Sequence, residues 1–468
     1  MENKKYISTI AMAFMTAAAI ISLRGLPLMA AEELTMFFYI GFATLFFLIP
    51  AALVSAELGS TFAIKEGGIY VWVSSAFGKK IGFTAVWLQW IQNVVWYPTV
   101  LAFSAAAISY GINKPELANN GIFTGIFIIL FYWIATIIAF KGTNFLSKVT
   151  SYGFIIGTVI PGLIVIVLGL IWVLNKNPIG FENLTIEDTT VSSIINGTVK
   201  PRILPNFKDF NNISFLSGII LLFAGVEVQA VHVNEMKNPK KQYPLAILIA
   251  SLIVFILFTF GSLSIAAVVP NSQLKIESGL MQALSTMLNN IKQGWFIYIL
   301  SFCICFGALS GVLSWISGPS KGLLSTANDG ILPTILSKTT KNGAPKTMLL
   351  LQGIIVTILA SLYFFMKDVS VAFFLLSALT IAVYIIMYIL MYLSAIKLRI
   401  THPNLERPYK APFLYLISVI GIVASFFALI LSFIPPSQLP IGNPTSYIII
   451  VTIGTIGFSI IPLFISRK

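Results

Sequence analysis

The sequence predicts an all-α membrane protein of twelve transmembrane helices, and three observations carry that expectation. Hydrophobic residues make up 57% of the 468-residue chain and charged residues 10%, with a mean hydropathy of +0.92. That is too little charge to coat a water-soluble surface. The apolar residues fall in runs of about 20, the length a helix needs to cross the hydrocarbon core of a bilayer. The runs lack the polarity alternation of a membrane β-barrel, and in lipid a helix satisfies its backbone hydrogen bonds within one segment.

Taken in order, the spans are read as residues 7–30, 35–57, 83–110, 122–140, 149–174, 215–232, 244–269, 295–315, 347–365, 371–396, 413–434 and 447–465. The first is not a signal peptide, because its apolar stretch is long and Arg24 lies inside it rather than before it. The later spans are separated by short loops that carry the basic residues, such as Lys79-Lys80, Lys141 and Lys240-Lys241. No soluble domain is expected at either end, so residues 1–468 are read as one integral-membrane domain. With the N-terminus placed inside, one set of loops and both termini hold 20 of the 29 Lys and Arg residues. The opposite side holds eight. The excess of positive charge marks the cytoplasmic side, and an even number of spans agrees with two cytoplasmic termini. The expectation is therefore a multi-pass protein of the cell (inner or plasma) membrane, and the Lys-, Ile- and Asn-rich usage points to a bacterial source. The longest loop, residues 175–212, is then external; its Asn-x-Ser/Thr triplets at Asn183, Asn196 and Asn212 are read as chance in an Asn- and Thr-rich stretch.

Several function classes are excluded by what is scarce. A net charge of +13 raises the question of nucleic acid, but the basic residues are spread over loops rather than gathered in a patch. The two cysteines, Cys303 and Cys305, lie two apart in one span and point to different sides of a helix, which argues against a disulfide. With His232 and His402 as the two histidines, no metal site or cofactor is called for. A membrane-embedded enzyme would need a nucleophile with a base, or a metal cluster, and neither is supplied.

Two spans are interrupted. The first carries Ser22-Leu23-Arg24-Gly25-Leu26-Pro27 and the sixth carries Phe223-Ala224-Gly225-Val226-Glu227. Glycine permits unusual backbone angles and proline removes a helix donor. A single break is often only a kink. Two, in spans one and six, suggest a five-helix unit repeated in inverted topology, residues 7–174 and 215–396, with 413–465 as additional helices. Broken helices near the midplane expose amides and carbonyls that replace water around a polar ligand. Arg24 and Glu227 are charges at membrane depth, where charge is expensive and seldom idle. They either form a structural ion pair with each other, or one or both face a ligand. Trp96, Tyr97, Trp315, Tyr384 and Tyr388 are aromatic candidates for closing over it, against the alternative of packing or interfacial anchoring. Gln92 is favoured over Asn93 as a polar contact in the third span, although either amide can serve a neighbouring helix instead.

Several segments resemble the amino acid–polyamine–organocation (APC) permeases. Glu66-Gly67-Gly68-Ile69-Tyr70-Val71-Trp72-Val73 with Ala76-Phe77-Gly78 is similar to the loop after their second helix, and Asn328-Asp329-Gly330-Ile331-Leu332-Pro333 also matches. Gly225-Val226-Glu227 through His232-Val233-Asn234-Glu235-Met236, then Asn238-Pro239, resembles the glutamate/γ-aminobutyrate (GABA) antiporter branch. So do Ser314-Trp315-Ile316 and Gly318-Pro319-Ser320-Lys321-Gly322. The resemblance implies the leucine-transporter fold, a 5+5 inverted repeat plus two extra helices. It implies exchange of an external, glutamate-like amino acid for an internal amino acid or its decarboxylation product. It also implies that Ile20, Ile21 and Ser22 hold the substrate carboxylate at the first break. Ala224 and Gly225, at the second break, are candidate substrate-binding residues; Trp315 would line the pocket, and Tyr384 and Tyr388 match tyrosines of the branch. The expected partners are a small amino acid, its exchanged amino acid or amine, and the lipid bilayer. The sequence departs from the branch at Ile20-Ile21-Ser22, where glycine-rich residues are usual, and at Arg24-Gly25, where a tyrosine–glutamate pair is usual. It also ends shortly after the last span, so the cytoplasmic gating tail of some branch members is not expected. Proton-coupled uptake of a neutral or aromatic amino acid is the alternative transport mode. Lys148 is read as a cytoplasmic anchor rather than a fixed cation in place of sodium. An open channel fits poorly with a closed pocket between broken helices.

Cysteines placed at Lys4 and Thr190 in sealed cells should label from opposite sides, Thr190 alone with an impermeant external reagent. Labelling of both from outside would refute the orientation.

Overall fold

A computed structural model describes residues 7–62, 67–141, 143–181, 203–205, 207, 213–230, 236–328, 330–366, 368–436 and 443–465. Most of the expected external loop, the His232–Glu235 motif and the side chain of Lys148 lie outside the described residues. Among the described residues every extended element is a helix; the β-pairing is a single parallel bridge between Ile7 and Met236.

The first span divides into α1 (Thr9–Ile20) and α2 (Leu26–Ala30), joined through a 3-10 turn at Leu23–Gly25. Next come α3 (Met36–Phe42), α4 (Ile49–Thr61), the short α5 (Ile69–Phe77), α6 (Lys79–Gly111), α7 (Gly121–Ala139), α8 (Thr143–Phe154) and α9 (Ile160–Leu174). The sixth span is α10 (Phe215–Leu222) and α11 (Glu227–Ala230). The remainder is α12 (Pro239–Val268), α13 (Gly279–Asn290), α14 (Phe296–Asn328), α15 (Lys346–Ala360), α16 (Leu362–Phe365), α17 (Val369–Thr401), α18 (Leu414–Ser432) and α19 (Pro444–Ile465). Among the described residues, ten helical segments are long and apolar enough to cross a membrane, and eleven when α1 and α2 count as one bent span. The chain is thus a multi-pass membrane protein. The sixth expected span falls short of that length because its described helices are interrupted at residues 223–226.

Proline shapes two other spans without breaking them. Pro50 and Pro161 lack an N–H, and each ring crowds the carbonyl four residues back. The ladder widens to π geometry just before each of them, at Ala43–Leu48 and Ile155–Val159.

Helices α6 and α17 form the centre. In each, 89% of the most apolar stretch is buried, against 17% in α19. α14 and α17 pack on α6, α18 packs on α17, and α12 packs on α1 and α9. Large apolar side chains such as Phe413, Leu416, Val423, Ile453 and Phe464 point outward, the surface a lipid-facing helix presents.

Because hydrocarbon does not drive helices together, close contact depends on small residues. A Cβ at Gly157 would lie 2.3 Å from the Cys303 carbonyl oxygen and 2.3 Å from Gly307 Cα, so the fifth span and α14 meet backbone to backbone. Gly157→Ala should therefore lower stability by about 1–3 kcal/mol, the usual cost of overpacking, read as a drop in thermal unfolding temperature of detergent-purified protein. Gly41→Ala, where a Cβ meets nothing within 4 Å, should show no such drop.

Candidate functional site

The chain turns out of α1 at Ile21 and Ser22, both in extended backbone. The two halves of the span meet at 49°. The break precedes the position that glycine and proline suggest. Pro27 lies in the first turn of α2, where its missing N–H has no helical partner to lose, so it starts the second half rather than ending the first. The β-branched pair Ile20-Ile21, stiff at χ1, marks the point of departure.

The second break, between Leu222 and Glu227, turns on Gly225, whose φ of +117° is open to glycine and strained for other residues. A Cβ there would lie 3.1 Å from the Trp315 ring and 3.3 Å from the Ala19 carbonyl oxygen. The two breaks therefore face each other across a few ångströms, with Trp315 against the second.

Between them lies a cavity of about 600 Å³. Ile20, Ile21, Ser22 and Arg24 line it from the first break and Ala224 from the second. Gln92, Asn93 and Trp96 face it from α6, Trp315 from α14 and Tyr384 from α17. It continues past Phe14 and Met15 to Thr150 and Ser151, and the π segment at Ile155–Val159 forms part of its wall. Nine of the twelve residues read from sequence as substrate-binding thus share one cavity wall. Gly225, Glu227 and Tyr388 lie behind it. Tyr97 stacks instead on Tyr132, with centroids 5.2 Å apart, and belongs to packing.

Glu227 is buried and saturated. Its Oε1 accepts from Tyr384 Oη at 2.5 Å and from Gln89 Nε2 at 3.0 Å, and its Oε2 accepts from Tyr388 Oη. The Tyr388 hydroxyl also accepts the Gly225 N–H at 2.8 Å. This acid fixes the second break to α6 and α17. Gln89 escaped the sequence reading, although it sits three residues before Gln92 on the same helix face, the signal that would have found it.

Arg24 is placed differently. It is 3% exposed, and its guanidinium carbon lies 5.4 Å from the Trp96 ring centre and 5.7 Å from that of Phe373. Among the described residues no carboxylate lies within ion-pairing distance of it, and its Nε has no hydrogen-bond partner. The alternative of an Arg24–Glu227 pair is thus not what the structure contains. The rings hold the cation by their quadrupoles, and Trp96 packs edge-on against Trp315 at 6.1 Å. Phe373 is a second residue that sequence reasoning missed, since one phenylalanine among 37 carries no signal.

The match to known proteins covers the chain that builds this cavity. The amino acid permease family matches residues 7–456. This chain belongs to that family. The permease is 38% identical over 470 residues to an uncharacterized transporter of Legionella pneumophila, covering 100% of this chain and 97% of the relative. It is 31% identical to a glutamate/gamma-aminobutyrate antiporter of Lactococcus lactis, covering 99% of this chain and 90% of that protein. It is 28% identical over 360 residues to the cadaverine/lysine antiporter of Escherichia coli, covering 76% and 73%. Family and relatives are transporters, not enzymes.

In the permease, Trp315 contacts both the cavity and the second break. Trp315→Ala should weaken ligand binding by about 1–2 kcal/mol through lost contact area and ring electrostatics, while Gly225 keeps its backbone. Binding by calorimetry that is unchanged in a folded variant would reduce Trp315 to packing.

Proposed function

We propose that the protein is a secondary active amino-acid antiporter that exchanges an external, glutamate-like amino acid for an internal GABA-like amino acid or amine. The observation that carries this reading is Arg24: a buried cation on the cavity wall, held by rings and without a carboxylate of its own. A guanidinium offers a planar fork of donors that fits a carboxylate bidentately. The substrate's side-chain carboxylate would take that fork. Its α-carboxylate would take the backbone exposed at Ile20–Ser22, opposite Ala224 and Gly225. Gln92, Trp96, Trp315 and Tyr384 would complete the wall, with Glu227 and Tyr388 holding the second break behind it.

The same reading takes twelve spans, with the described helices of residues 213–230 as the outer part of the sixth. It takes residues 7–174 and 215–396 as inverted repeats, in keeping with the two facing breaks. Both termini are cytoplasmic in it, which makes the arm of the cavity running towards Phe14 and Thr150 its inward-facing side. The similarity to a glutamate/gamma-aminobutyrate antiporter over 99% of the chain supports the substrate class. Proton-coupled uptake of a neutral amino acid would need Arg24 neutralised by Glu227, and the Glu227 carboxylate is already engaged by Tyr384, Tyr388 and Gln89.

Counterflow of labelled glutamate into GABA-loaded proteoliposomes tests the reading. Arg24→Gln should raise the glutamate concentration for half-maximal exchange roughly thirtyfold, the equivalent of a charge-assisted pair worth about 2 kcal/mol, with thermal stability unchanged. Wild-type-like glutamate exchange in a stable Arg24→Gln variant would remove the basis for an acidic substrate.

A further inference from the structure

Among the described residues, two charged side chains have a buried atom without a hydrogen-bond partner: Arg24 at Nε and Glu277 at Oε1. Glu277 lies away from the cavity lining, in the turn between α12 and α13, and its other oxygen accepts from Ser370 Oγ at 2.5 Å. Arg24 lies on the cavity wall, where it is the one charged side chain among the described residues. The rings of Trp96 and Phe373 lie 5.4 and 5.7 Å from its guanidinium carbon. They steady the cation through their quadrupoles, but a ring has no net charge and leaves the positive charge uncancelled.

A buried charge is tolerated when a counter-charge accompanies it. What enters the cavity therefore decides the net charge there. An amino acid with two carboxylates and one ammonium carries one negative charge overall, which cancels that of Arg24. A ligand with one carboxylate and one ammonium is neutral overall and leaves the guanidinium charge in place. The cavity of about 600 Å³ falls within the roughly 300–1,000 Å³ of pockets that hold drug-sized molecules. A small amino acid leaves room in it for an ion.

We propose that the Arg24 corner of the cavity is a binding site for a small monovalent anion such as chloride, filled whenever the amino acid in the cavity brings no second carboxylate. The anion site follows from the buried guanidinium, and its competition with substrate rests on the reading of Arg24 as the acidic-substrate contact. A single charge suits the corner, because a divalent anion would exchange one excess positive charge for one excess negative charge. A guanidinium is also weakly hydrated and meets an anion with little water to shed. Chloride and the side-chain carboxylate of an acidic substrate then exclude each other, whereas chloride and a one-carboxylate ligand bind together. In both loaded states the charges of Arg24, ligand and ion sum to zero, which limits the cost of holding them at membrane depth.

Two measurements on detergent-purified full-length protein test this. In each, potassium chloride replaces potassium sulfate at a constant ionic strength of about 0.1 M, so that screening is matched. The first needs no amino acid. An ion that binds the folded protein alone raises its unfolding temperature. Sulfate stabilises folded proteins in general, so the readout is the difference between wild type and Arg24→Gln. The two should unfold alike in sulfate, and the wild type should gain a saturable advantage as chloride replaces it. The second is binding of labelled glutamate and of labelled GABA. The change from sulfate to chloride should weaken glutamate about fivefold and strengthen GABA about fivefold, the lower end of usual coupling between ligands. Arg24→Gln should lose both effects. If Arg24→Gln does not fold, the opposite signs in the wild type decide, and Arg24→Lys, which keeps a cation, should show them too. No chloride advantage of the wild type over a folded Arg24→Gln overturns the anion site. So do glutamate and GABA affinities that move together or not at all. Wild-type protein that binds no glutamate in either salt overturns the acidic-substrate reading instead, and the chloride advantage still decides whether Arg24 holds an anion.

Discussion

An interrupted membrane helix must find new partners for the backbone groups it frees, and at the second break one carboxylate organises them. Glu227 accepts from Tyr384, Tyr388 and Gln89, so α11 is tied to α6 and α17, the two most buried helices. Tyr388 in turn receives the Gly225 amide at the residue whose positive φ makes the turn. An ionised group at membrane depth is tolerated only when its oxygens are satisfied. Here the satisfaction itself positions the wall: Ala224 and Tyr384 face the cavity because Glu227 holds them from behind. Removing one donor would leave a buried, partly paired acid, so the network acts as a unit rather than as three separate bonds.

The same rule governs the end of the molecule where α4 meets α17. Glu57 accepts from Arg399 Nε at 2.6 Å and from the Ala411 N–H at 2.8 Å, and pairs with Arg407 at 3.2 Å. Arg407 directs its remaining donors to the carbonyls of Leu398, His402 and Leu405, at and just past the end of α17. Two arginines, one acid and a helix terminus thus neutralise one another. Glu57 and Glu227 lie in unlike surroundings, and both are saturated. Against that background the incomplete pairing of Arg24 and Glu277 is a departure from how this chain handles buried charge.

Much of the fold was legible in the sequence because so many apolar runs of membrane length, with so little charge between them, are stable only in a bilayer. Both breaks were legible too, since Gly225 and Pro27 interrupt otherwise unbroken apolar stretches. The detail was less so. Proline reads as a helix end, yet at Pro27 it begins α2, and the turn falls on Ile21 and Ser22, residues without special backbone freedom. Nine candidate site residues line one cavity because charged, amide and indole groups inside a span stand out against leucine and isoleucine. Phe373 and Gln89 did not stand out. Their roles come from helices that meet only in three dimensions, and no spacing within one span encodes that. Glu277 lies in a loop, where an acid is ordinary; only its full burial makes it otherwise.

The departure at Arg24 has a physical logic of its own. An arginine in a salt bridge must leave its partner before it binds another carboxylate, and the partner then stands buried and unpaired. An arginine held against the rings of Trp96 and Phe373 incurs no such penalty. The ring faces steady the cation without consuming its N–H donors, and an incoming carboxylate adds to the contact rather than replacing it. The position just past the break strengthens this. The 3-10 turn at Leu23–Gly25 follows directly on the extended Ile21 and Ser22, so the guanidinium and the exposed backbone belong to the same few residues. A ligand with two carboxylates would meet both within one short segment, and a ligand with one would leave the guanidinium unmet. In the proposed exchange, discrimination between them would then rest on the charge-assisted contact that the ligand with two carboxylates alone makes with the guanidinium.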